Sequence, residues 1–358
     1  MLRLEARATP SGVAKWLSPL VAIVAMVACG FALFALLGRD PLAAVRAFFV
    51  DPVATRYGVG ELLLKASPLA LIATGLAIGY RANVWNIGAE GQLAMGAIAA
   101  GGVALALDAS GSSLVLPLMF VAGALGGLAW AAIPAYLRTR FNTNEILVSL
   151  MLVYIATLLL SFLVHGPWRD PEGFNFPQSR MFAASALLPV LVEGTRLNAG
   201  ALLSLAVVAV AWLATARTLI GFEMRVAGLA PGAARYAGIP TARMVWLGML
   251  AGGMCAGLAG VNEIAGPIGQ LVPTVSPGYG FAAIIVAFVG RLHPVGVLLA
   301  SLLMSLLYLG GESAQLELGL PSSVTGMFQG TLLFFLLAAD VLIHYRVRWR
   351  WRVPAAAA

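Results

Sequence analysis

Apolar runs long enough to cross a bilayer as helices, about 20 residues each, follow one another along the whole chain. The composition agrees with this pattern, because 61% of the residues are hydrophobic and only 10% are charged. A soluble domain has about 25% charged residues, so this chain cannot cover a water-facing surface of ordinary size. We therefore expect an all-α, polytopic membrane protein with a single membrane domain.

About ten of these runs are candidate transmembrane helices. They cover residues 17–37, 62–80, 84–107, 114–136, 145–164, 197–215, 244–262, 279–290, 294–311 and 321–343. The run 279–290 is too short to cross as a straight helix, and glycine and proline are frequent in 262–280 just before it. Interrupted segments are tolerated in a membrane where they line a cavity or are buried in protein. We therefore expect a broken or re-entrant segment at this point.

The lysines and arginines indicate how the helices are oriented. If the chain crosses ten times from a cytoplasmic N-terminus, 15 of its 22 lysines and arginines lie on the cytoplasmic side and 7 on the outside. Cytoplasmic loops of membrane proteins carry an excess of positive charge. We therefore predict a cytoplasmic segment 1–16, a transmembrane domain 17–343 and a basic cytoplasmic tail 344–358, so that both termini are cytoplasmic. The arginines of this tail are also able to contact anionic lipid headgroups.

The residue inventory excludes several classes of function. Lys15 and Lys65 are the only lysines, and neither stands in a GxxxxGK[ST] phosphate-binding loop. The histidines and cysteines have no metal-ligand spacing, and the chain has no GxSxG nucleophile elbow. Aromatic and basic residues are not interleaved as they are in nucleic-acid-binding proteins. We expect no catalytic residues, no metal, no cofactor and no nucleic-acid partner, and any ATP that drives the protein must be bound by another subunit.

A group of polar residues enters the third candidate span. Polar side chains are costly inside a membrane and usually face the interior of the helix bundle or a water-filled path. On a helix, Asn83, Asn86 and Glu90 would share an arc of about 60°, whereas Gln92 would point the other way. We predict that Asn83, Asn86 and Glu90 line a transport pathway. The alternative, that they only hold neighbouring helices together, stays open.

A second polar pair ends the seventh candidate span. Asn262 and Glu263 precede the interrupted region, where Gly266 and Pro267 break the helical pattern. Transporters use broken helices to contact substrate near the middle of the membrane. Asn262 and Glu263 are therefore further candidates for the pathway, and a role in helix contacts is again the alternative.

Two other features have a structural explanation. Asn144 stands just before the fifth candidate span and suits the N-cap of a helix. Gly123 and Gly127 in the fourth span, and Gly253 and Gly257 in the seventh, have the GxxxG spacing that allows helices to approach closely.

The segment 216–243 is the longest on the predicted cytoplasmic side. Most connections between helices have about 2–8 residues, so this one is unusually long. It mixes charged, small and helix-forming residues, with Gly228, Pro231 and Gly238 as interruptions. We expect it to contain a short helix that lies parallel to the membrane.

The segment 165–196 is the longest on the predicted outside. It carries charges of both signs and four prolines. It is either a docking surface for an external partner or a solvated connector, and the two readings are left open.

Five stretches of the sequence resemble the permease subunits of ABC importers in the branched-chain amino acid and simple-sugar permease superfamily. They are NVWNIGAEGQLAMGA (83–97), TNEILVSLMLVYIA (143–156), AARYAGI (233–239), GYGFAAIIVAFVGRLHPVGVLLASLL (278–303) and LPSSVTGMFQGTLLF (320–334). They are most similar to the nucleoside (simple-sugar) branch. The resemblance extends from about residue 60 to about residue 340.

The resemblance implies an inner-membrane transport subunit with no chemistry of its own. Such a permease pairs with a second homologous permease, is driven by a separate ABC ATPase subunit and receives substrate from an extracytoplasmic substrate-binding lipoprotein. It also implies that 216–243 forms the coupling segment that docks onto the ATPase. The residues to which this role carries over are Glu223, Arg225, Gly228, Arg235, Tyr236 and Gly238, the two glycines as turns.

The expected function is therefore to form the translocation path of an ATP-driven importer for nucleosides or related simple sugars. An uncharged substrate suits a path whose polar residues are amides and isolated carboxylates. The alternative is an ion-coupled secondary transporter that uses Glu90 or Glu263 as a proton site, because isolated carboxylates in membranes serve as proton relays. An intramembrane enzyme has no nucleophile and base to support it.

Overall fold

The computed structural model of the chain describes residues 2–6 and 12–349. Its helices are α1 Gly12–Leu36, α2 Pro41–Phe49, α3 Arg56–Arg81, α4 Ala89–Ala106, α5 Val115–Phe141, α6 Glu145–His165, α7 Gly200–Arg217, α8 Leu219–Leu229, α9 Pro231–Tyr236, α10 Thr241–Glu263, α11 Tyr279–Val289, α12 Pro294–Leu318 and α13 Ser323–His344. Two short strands, β1 Leu2–Ala6 and β2 Tyr345–Trp349, form an antiparallel ribbon. The predicted cytoplasmic segment 1–16 and tail 344–358 lie partly outside the described residues.

In the described part of the chain, nine helices are long and apolar enough to cross a membrane. They are α1, α3, α4, α5, α6, α7, α10, α12 and α13. The tenth predicted span holds only the short helix α11, which is apolar and has 11 residues. The prediction of an all-α, polytopic membrane protein with about ten spans and one broken segment is confirmed.

The chain divides into two compact units. The first joins residues 1–52 to residues 307–358, and in it the ring centroids of Phe34, Phe48 and Phe328 lie 4.5 to 6.4 Å apart. The second comprises residues 53–306. All of the predicted site residues belong to this second unit.

Close contact between helices of the second unit depends on glycine. A Cβ atom on Gly127 of α5 would lie 2.2 Å from the carbonyl oxygen of Gly253 in α10, and one on Gly257 would lie 2.2 Å from the carbonyl oxygen of Gly123. Backbones can approach this closely only where both helices present small residues. The GxxxG spacing therefore marks a helix contact, as predicted.

Side-chain caps begin several of the helices. Thr55 accepts the Gly58 N–H at the start of α3, and Asn144 accepts the N–H groups of Ile146 and Leu147 at the start of α6. Such caps satisfy N–H groups that have no partner within the helix. The predicted N-cap at Asn144 is confirmed.

The two ends of the second unit differ in charge and in connections. We call one end the arginine face, where α3 ends at Arg81 and the last turn of α5 carries Arg138 and Arg140. The segment 216–243 lies at this face. We call the opposite end the loop face, and the long connection 166–199 lies there.

The segment 216–243 contains two short helices, α8 and α9, where the sequence predicts one. Gly238 has a φ angle of +78° directly after α9, so its predicted role in a turn is confirmed. The prediction that Gly228 forms a turn is wrong, because Gly228 lies within α8. A Cβ atom on Gly228 would lie 2.2 Å from the carbonyl oxygen of Arg81, so glycine serves here for close contact rather than for a turn.

The predicted interruption after the seventh span lies where α10 ends. The helix continues into a π-helical turn, Ile264–Ile268, that contains Pro267. Gly269, with a φ angle of +74°, ends this turn, and Gly278, with a φ angle of +96°, precedes α11. Residues 269–278 between them are not helical, and we call them the broken segment.

The third span differs from its prediction of 84–107. Its helix, α4, begins only at Ala89, and residues 82–88, which we call the link, are not helical. Asn83 has a φ angle of +55°, and the Asn86 side chain accepts the Gly88 N–H at 3.0 Å. Local hydrogen bonds of this kind compete with the helix. The prediction that Asn83, Asn86 and Glu90 share one face of a helix is therefore wrong.

Candidate functional site

Two crossings of the second unit, 82–106 and 269–289, are each built from a non-helical part followed by a helix that begins inside the crossing. We call both helices half-helices for this reason, although α4 has 18 residues and is long enough to cross a membrane. In the first crossing the link precedes α4, and in the second the broken segment precedes α11. Broken helices lie at the binding sites of many transporters, where the ends of the half-helices point at the substrate or at coupling ions. The two crossings therefore mark the candidate site.

Contacts along their length show that the two crossings lie side by side in opposite directions. Near the arginine face, the ring centroids of Trp85 in the link and Phe288 in α11 lie 5.7 Å apart. Towards the loop face, Leu271 of the broken segment lies against α4, so that a Cβ atom on Gly101 would be 2.5 Å from Leu271 Cδ1. The non-helical part of each crossing therefore lies beside the helix of the other. The starts of the two half-helices lie next to each other, at the point where helix and non-helical part join.

The two half-helices begin with similar turns. Asn86 Oδ1 accepts the Gly88 N–H at 3.0 Å just before α4. Ser276 Oγ accepts the N–H groups of Gly278 at 3.1 Å and Tyr279 at 2.9 Å just before α11. In both cases a polar side chain stands two residues before a glycine that adjoins the helix. These side chains satisfy N–H groups that would otherwise be buried without a partner.

Glu90 lies at the point where the two half-helices meet. Its carboxylate accepts the Gly280 N–H at 2.6 Å. The N-terminus of a helix carries a positive partial charge, so the start of α11 favours a carboxylate at this point. A Cβ atom on Gly280 would lie 2.2 Å from the Glu90 nitrogen, and only glycine allows the two helix starts to approach this closely.

Asn86 and Gln92 form a closed pair behind Glu90. Asn86 Nδ2 donates to Gln92 Oε1 at 2.8 Å, and Gln92 Nε2 donates to Asn86 Oδ1 at 3.1 Å. Both side chains are buried. The expectation that Gln92 points away from Asn86 is wrong, because the link is not helical. The pair fastens the link to the first turns of α4.

Asn83 is separate from this group. It is exposed at the arginine face, and its Oδ1 accepts the Trp85 indole N–H at 2.8 Å. Its backbone oxygen accepts Arg138 Nη2 at 3.4 Å. The structure therefore does not bring Asn83 together with Glu90.

Asn262 joins three helices at the end of α10. Its Nδ2 donates to Ser67 Oγ of α3 at 3.4 Å and to the carbonyl oxygen of Gly200 in α7 at 3.3 Å. Ser67 and Ser204 share a further hydrogen bond of 2.6 Å. Asn262 Oδ1 is buried and has no hydrogen-bond partner among the described residues. This oxygen can therefore accept a further hydrogen bond inside the bundle.

Glu263 follows Asn262 and is also buried. Of the five predicted pathway residues, the structure therefore buries Asn86, Glu90, Asn262 and Glu263 and leaves Asn83 exposed.

The sequence did not point to an ion pair at the loop face. Arg196 Nε and Nη2 donate to the two carboxylate oxygens of Glu61 at 2.9 and 2.6 Å. Glu61 is buried in α3, whereas the Arg196 side chain is half exposed. The hydrogen bond from Arg196 to Glu61 raises the pKa of Arg196 above its ordinary value. The sequence feature that could have pointed to this pair is the carboxylate of Glu61 at the start of an apolar run.

The connection 166–199 supplies hydrogen bonds to the broken segment and to the turn before it. The N–H groups of Ser179, Phe182 and Leu188 donate to the carbonyl oxygens of Leu271, Gly269 and Ala265 at 2.8 to 2.9 Å. Inside a membrane protein, non-helical backbone needs such partners. The connection is therefore part of the structure that holds the broken segment, and is more than a solvated connector.

The predicted coupling residues lie at the arginine face. Glu223 is half buried, whereas Arg225, Arg235 and Tyr236 are exposed, Tyr236 to 98%. Arg235 also lines an open cavity of about 290 Å³ between α5, α9 and α10. Exposed aromatic and basic side chains of this kind suit a protein–protein contact.

Comparison with known proteins agrees with this architecture. The family model described as "Branched-chain amino acid transport system / permease component" matches residues 58–337. Similar proteins include the glucose ABC transporter permease protein TsgB13 of Haloferax volcanii, 36% identical over 97% of this chain and 93% of that protein. The guanosine ABC transporter permease protein NupP of Bacillus subtilis is 30% identical over 90% of this chain and 93% of that protein. The nucleoside ABC transporter permease protein NupB of Lactococcus lactis is 28% identical over 92% of each chain.

Members of this family are transport components and not ATPases, and an ABC permease implies an ATPase partner and a second permease. With nine candidate spans in the described part of the chain, the protein is a multi-pass protein of the inner membrane. The chain belongs to the branched-chain amino acid transport system permease family and is a permease subunit of an ABC importer.

Proposed function

We propose that the chain forms half of the translocation path of an ABC importer for nucleosides or simple sugars. The observation that carries this proposal is the meeting of two antiparallel half-helices on Glu90, an arrangement that suits a substrate path. The substrate class is drawn from relatives named as permeases for glucose, guanosine and nucleosides. These compounds are all uncharged and rich in hydrogen-bonding groups.

Within this path, Asn262 and Glu263 supply the buried polar groups, Glu90 and Asn86 hold the starts of the two half-helices, and Asn83 stands at the mouth on the arginine face. The unpartnered Asn262 Oδ1 offers a hydrogen-bond acceptor to a passing hydroxyl group. This assignment keeps all five predicted residues but gives them different roles along the path.

The arginine face is the cytoplasmic side in this proposal, because cytoplasmic segments carry the excess of lysine and arginine. Both termini are then cytoplasmic, and the basic tail contacts anionic lipid. The ATPase docks on 216–243, with Glu223, Arg225, Arg235 and Tyr236 as contacts and with the glycines Gly228 and Gly238 shaping the segment. ATP is bound by that subunit, and this chain needs no cofactor.

The loop face is then extracytoplasmic, and a substrate-binding lipoprotein docks there. Phe174 and Phe176 of the connection 166–199 are 92% and 65% exposed. The connection is anchored to the broken segment through the N–H groups of Ser179 and Phe182. Exposed aromatic side chains on an anchored loop suit a protein partner.

Family membership disfavours the alternative of an ion-coupled secondary transporter, because ABC permeases work with an ATPase. Uptake by vesicles that contain both permeases, the ATPase and the binding lipoprotein tests the proposal. We expect ATP-dependent uptake of a labelled nucleoside or hexose. Uptake that needs only a proton gradient would contradict the ABC mechanism, and ATP-dependent uptake of neither compound would contradict the substrate class.

A further inference from the structure

The link is in direct contact with the segment proposed to dock on the ATPase. Ala82 and Val84 are buried in one cluster with Met224 and Ala227 of α8. In addition, α8 approaches the end of α3 so closely that a Cβ atom on Gly228 would lie 2.2 Å from a backbone oxygen. Because protein interiors are close-packed, a shift of α8 cannot leave the start of the link unchanged.

The link and the first turn of α4 that follows it contact α11 at both ends of that half-helix. At the end of α11, the Phe288 ring lies 5.7 Å from Trp85 and 5.2 Å from Tyr80, with interplanar angles of 23° and 20°. At its start, the Gly280 N–H donates to Glu90, two residues beyond the link. α11 also packs along α3, and it is in addition fastened to Trp85 near the arginine face and to Glu90 at its start.

The link has little freedom to stretch between these points. Its N–H groups at Trp85, Ile87 and Gly88 donate to the side chains of Glu145, Ser149 and Asn86 at 3.5, 3.3 and 3.0 Å. The Asn86–Gln92 pair closes its far end onto α4. These bonds hold the shape of the link and fasten it to α6 and α4, so a shift of the link involves these neighbours as well.

We propose that the link transmits movement of α8 to the half-helix α11, and that the Glu90–Gly280 hydrogen bond is the joint through which it does so. Glu90 is then a positioning residue that couples ATP hydrolysis to the opening of the path. This inference rests on the proposed function, since it requires an ATPase that moves α8. Coupling between distant sites has to be measured as coupling, so the test compares two rates in one preparation.

The first experiment measures ATP hydrolysis and substrate uptake in the same vesicles that contain the complete transporter. Glu90→Leu removes the acceptor of a charge-assisted hydrogen bond, so we expect uptake to fall about tenfold or more. ATP hydrolysis should stay within about twofold of the wild-type rate. Glu90→Gln keeps an oxygen acceptor without the charge, so its rate of uptake should lie between the rates of the wild type and of Glu90→Leu. The KM for uptake should stay unchanged in Glu90→Gln, because a positioning residue does not contact substrate.

The second experiment joins the link to α11 chemically. In a background without Cys29 and Cys255, Trp85→Cys and Phe288→Cys are combined and bridged with a short bifunctional thiol reagent. If the link and α11 move together, uptake by the bridged protein equals uptake by the same variant before bridging. The two single-cysteine variants, treated with the same reagent, control for modification alone.

The outcomes separate the inference from the proposed function. Wild-type vesicles without ATP-dependent uptake would contradict the proposed function itself. If the wild type transports, then loss of uptake on bridging, or an equal fall of uptake and ATP hydrolysis in Glu90→Leu, overturns the joint. A raised KM in Glu90→Gln also overturns it, because Glu90 would then contact substrate. Co-purification of the subunits with each variant confirms that assembly is intact.

Discussion

The Gly280 N–H donates a hydrogen bond of 2.6 Å to the Glu90 carboxylate across the meeting point of two half-helices. The two residues come from opposite crossings and are 190 positions apart in the chain. Their contact requires glycine on one side and an acceptor on the other. A single added methyl group at Gly280 should therefore have a large effect.

Gly280→Ala should destabilise the protein and abolish uptake. The new Cβ atom would lie 2.2 Å from the Glu90 nitrogen, and forcing atoms into a close-packed site costs about 1–3 kcal/mol. Thermal unfolding in detergent measures the effect. Gly326→Ala is the matched control, because a Cβ atom at Gly326 in α13 meets nothing within 4 Å. Equal unfolding temperatures for the two variants would contradict the close contact.

Arg196→Gln should destabilise the protein more than Glu61→Gln does. Removing Arg196 leaves the buried Glu61 carboxylate without its partner, and we expect a cost of about 1–2 kcal/mol because the arginine itself is half exposed. The double variant should recover part of this loss, and a double-mutant cycle of unfolding free energies measures the coupling. A coupling energy of zero would contradict the pairing.

The same pair predicts a dependence on pH. The hydrogen bond between Arg196 and Glu61 raises the pKa of Arg196 above its ordinary value. A group with a raised pKa in the folded state contributes stability below its unfolded pKa and loses it as the pH rises through the folded pKa. The contribution should therefore be complete throughout the neutral range and fade only under strongly alkaline conditions. The free energies of unfolding of the wild type and of Arg196→Gln, measured at neutral and alkaline pH, check this prediction. If the difference between the two proteins already shrinks near neutral pH, the prediction is contradicted.

Arg235→Glu should weaken binding of the ATPase without affecting the fold. Arg235 is exposed beside Tyr236, which is 98% exposed, so charge reversal there changes the docking surface alone. Co-purification of the ATPase with the permeases measures the effect. Arg39→Glu, another exposed arginine just after α1, is the control. Normal recovery of the ATPase with Arg235→Glu would argue against docking at α9.

Replacing Phe174 and Phe176 by serine should weaken binding of the substrate-binding lipoprotein. The two rings are largely exposed, so their loss should leave the unfolding temperature unchanged. Binding of the purified lipoprotein to the permeases in lipid discs gives the affinity. Leu42→Ser removes a comparably exposed side chain from α2 and should have no effect. An unchanged affinity in the phenylalanine variant would place the docking surface elsewhere.

Much of the fold could be predicted because the membrane limits the choice of structure. Apolar runs locate the helices, and glycine with proline marks the interruption at 269–278. The link could not be predicted in the same way. Asn83, Asn86 and Glu90 fit a helical stripe equally well, and the sequence pattern does not show that the local hydrogen bond of Asn86 and the contacts of the link with α8 and α11 accompany a non-helical segment 82–88.

The candidate site was visible from the sequence only where a residue type is unusual in a membrane. Glu90 and Glu263 stand out because a buried carboxylate is costly. Gly280 and Ser276 do not, since both types are common in membrane helices, and their role depends on which chain segment lies opposite. Glu61 and Arg196 are 135 residues apart, and their pairing requires the fold itself.

The connection 166–199 holds the broken segment largely through main-chain groups, at Ser179, Phe182 and Leu188. Main-chain donors are present in every residue except proline, so these three positions can keep their main-chain hydrogen bonds with other residue types, within the limits set by their buried side chains and by Ser179 Oγ, which also accepts the Leu271 N–H. They should not accept proline, and the connection should not accept an insertion or deletion that shifts one donor past its acceptor. The number of residues between these main-chain donors is therefore a property on which selection can act at the loop face. Replacing side chains one at a time would underestimate the importance of the connection.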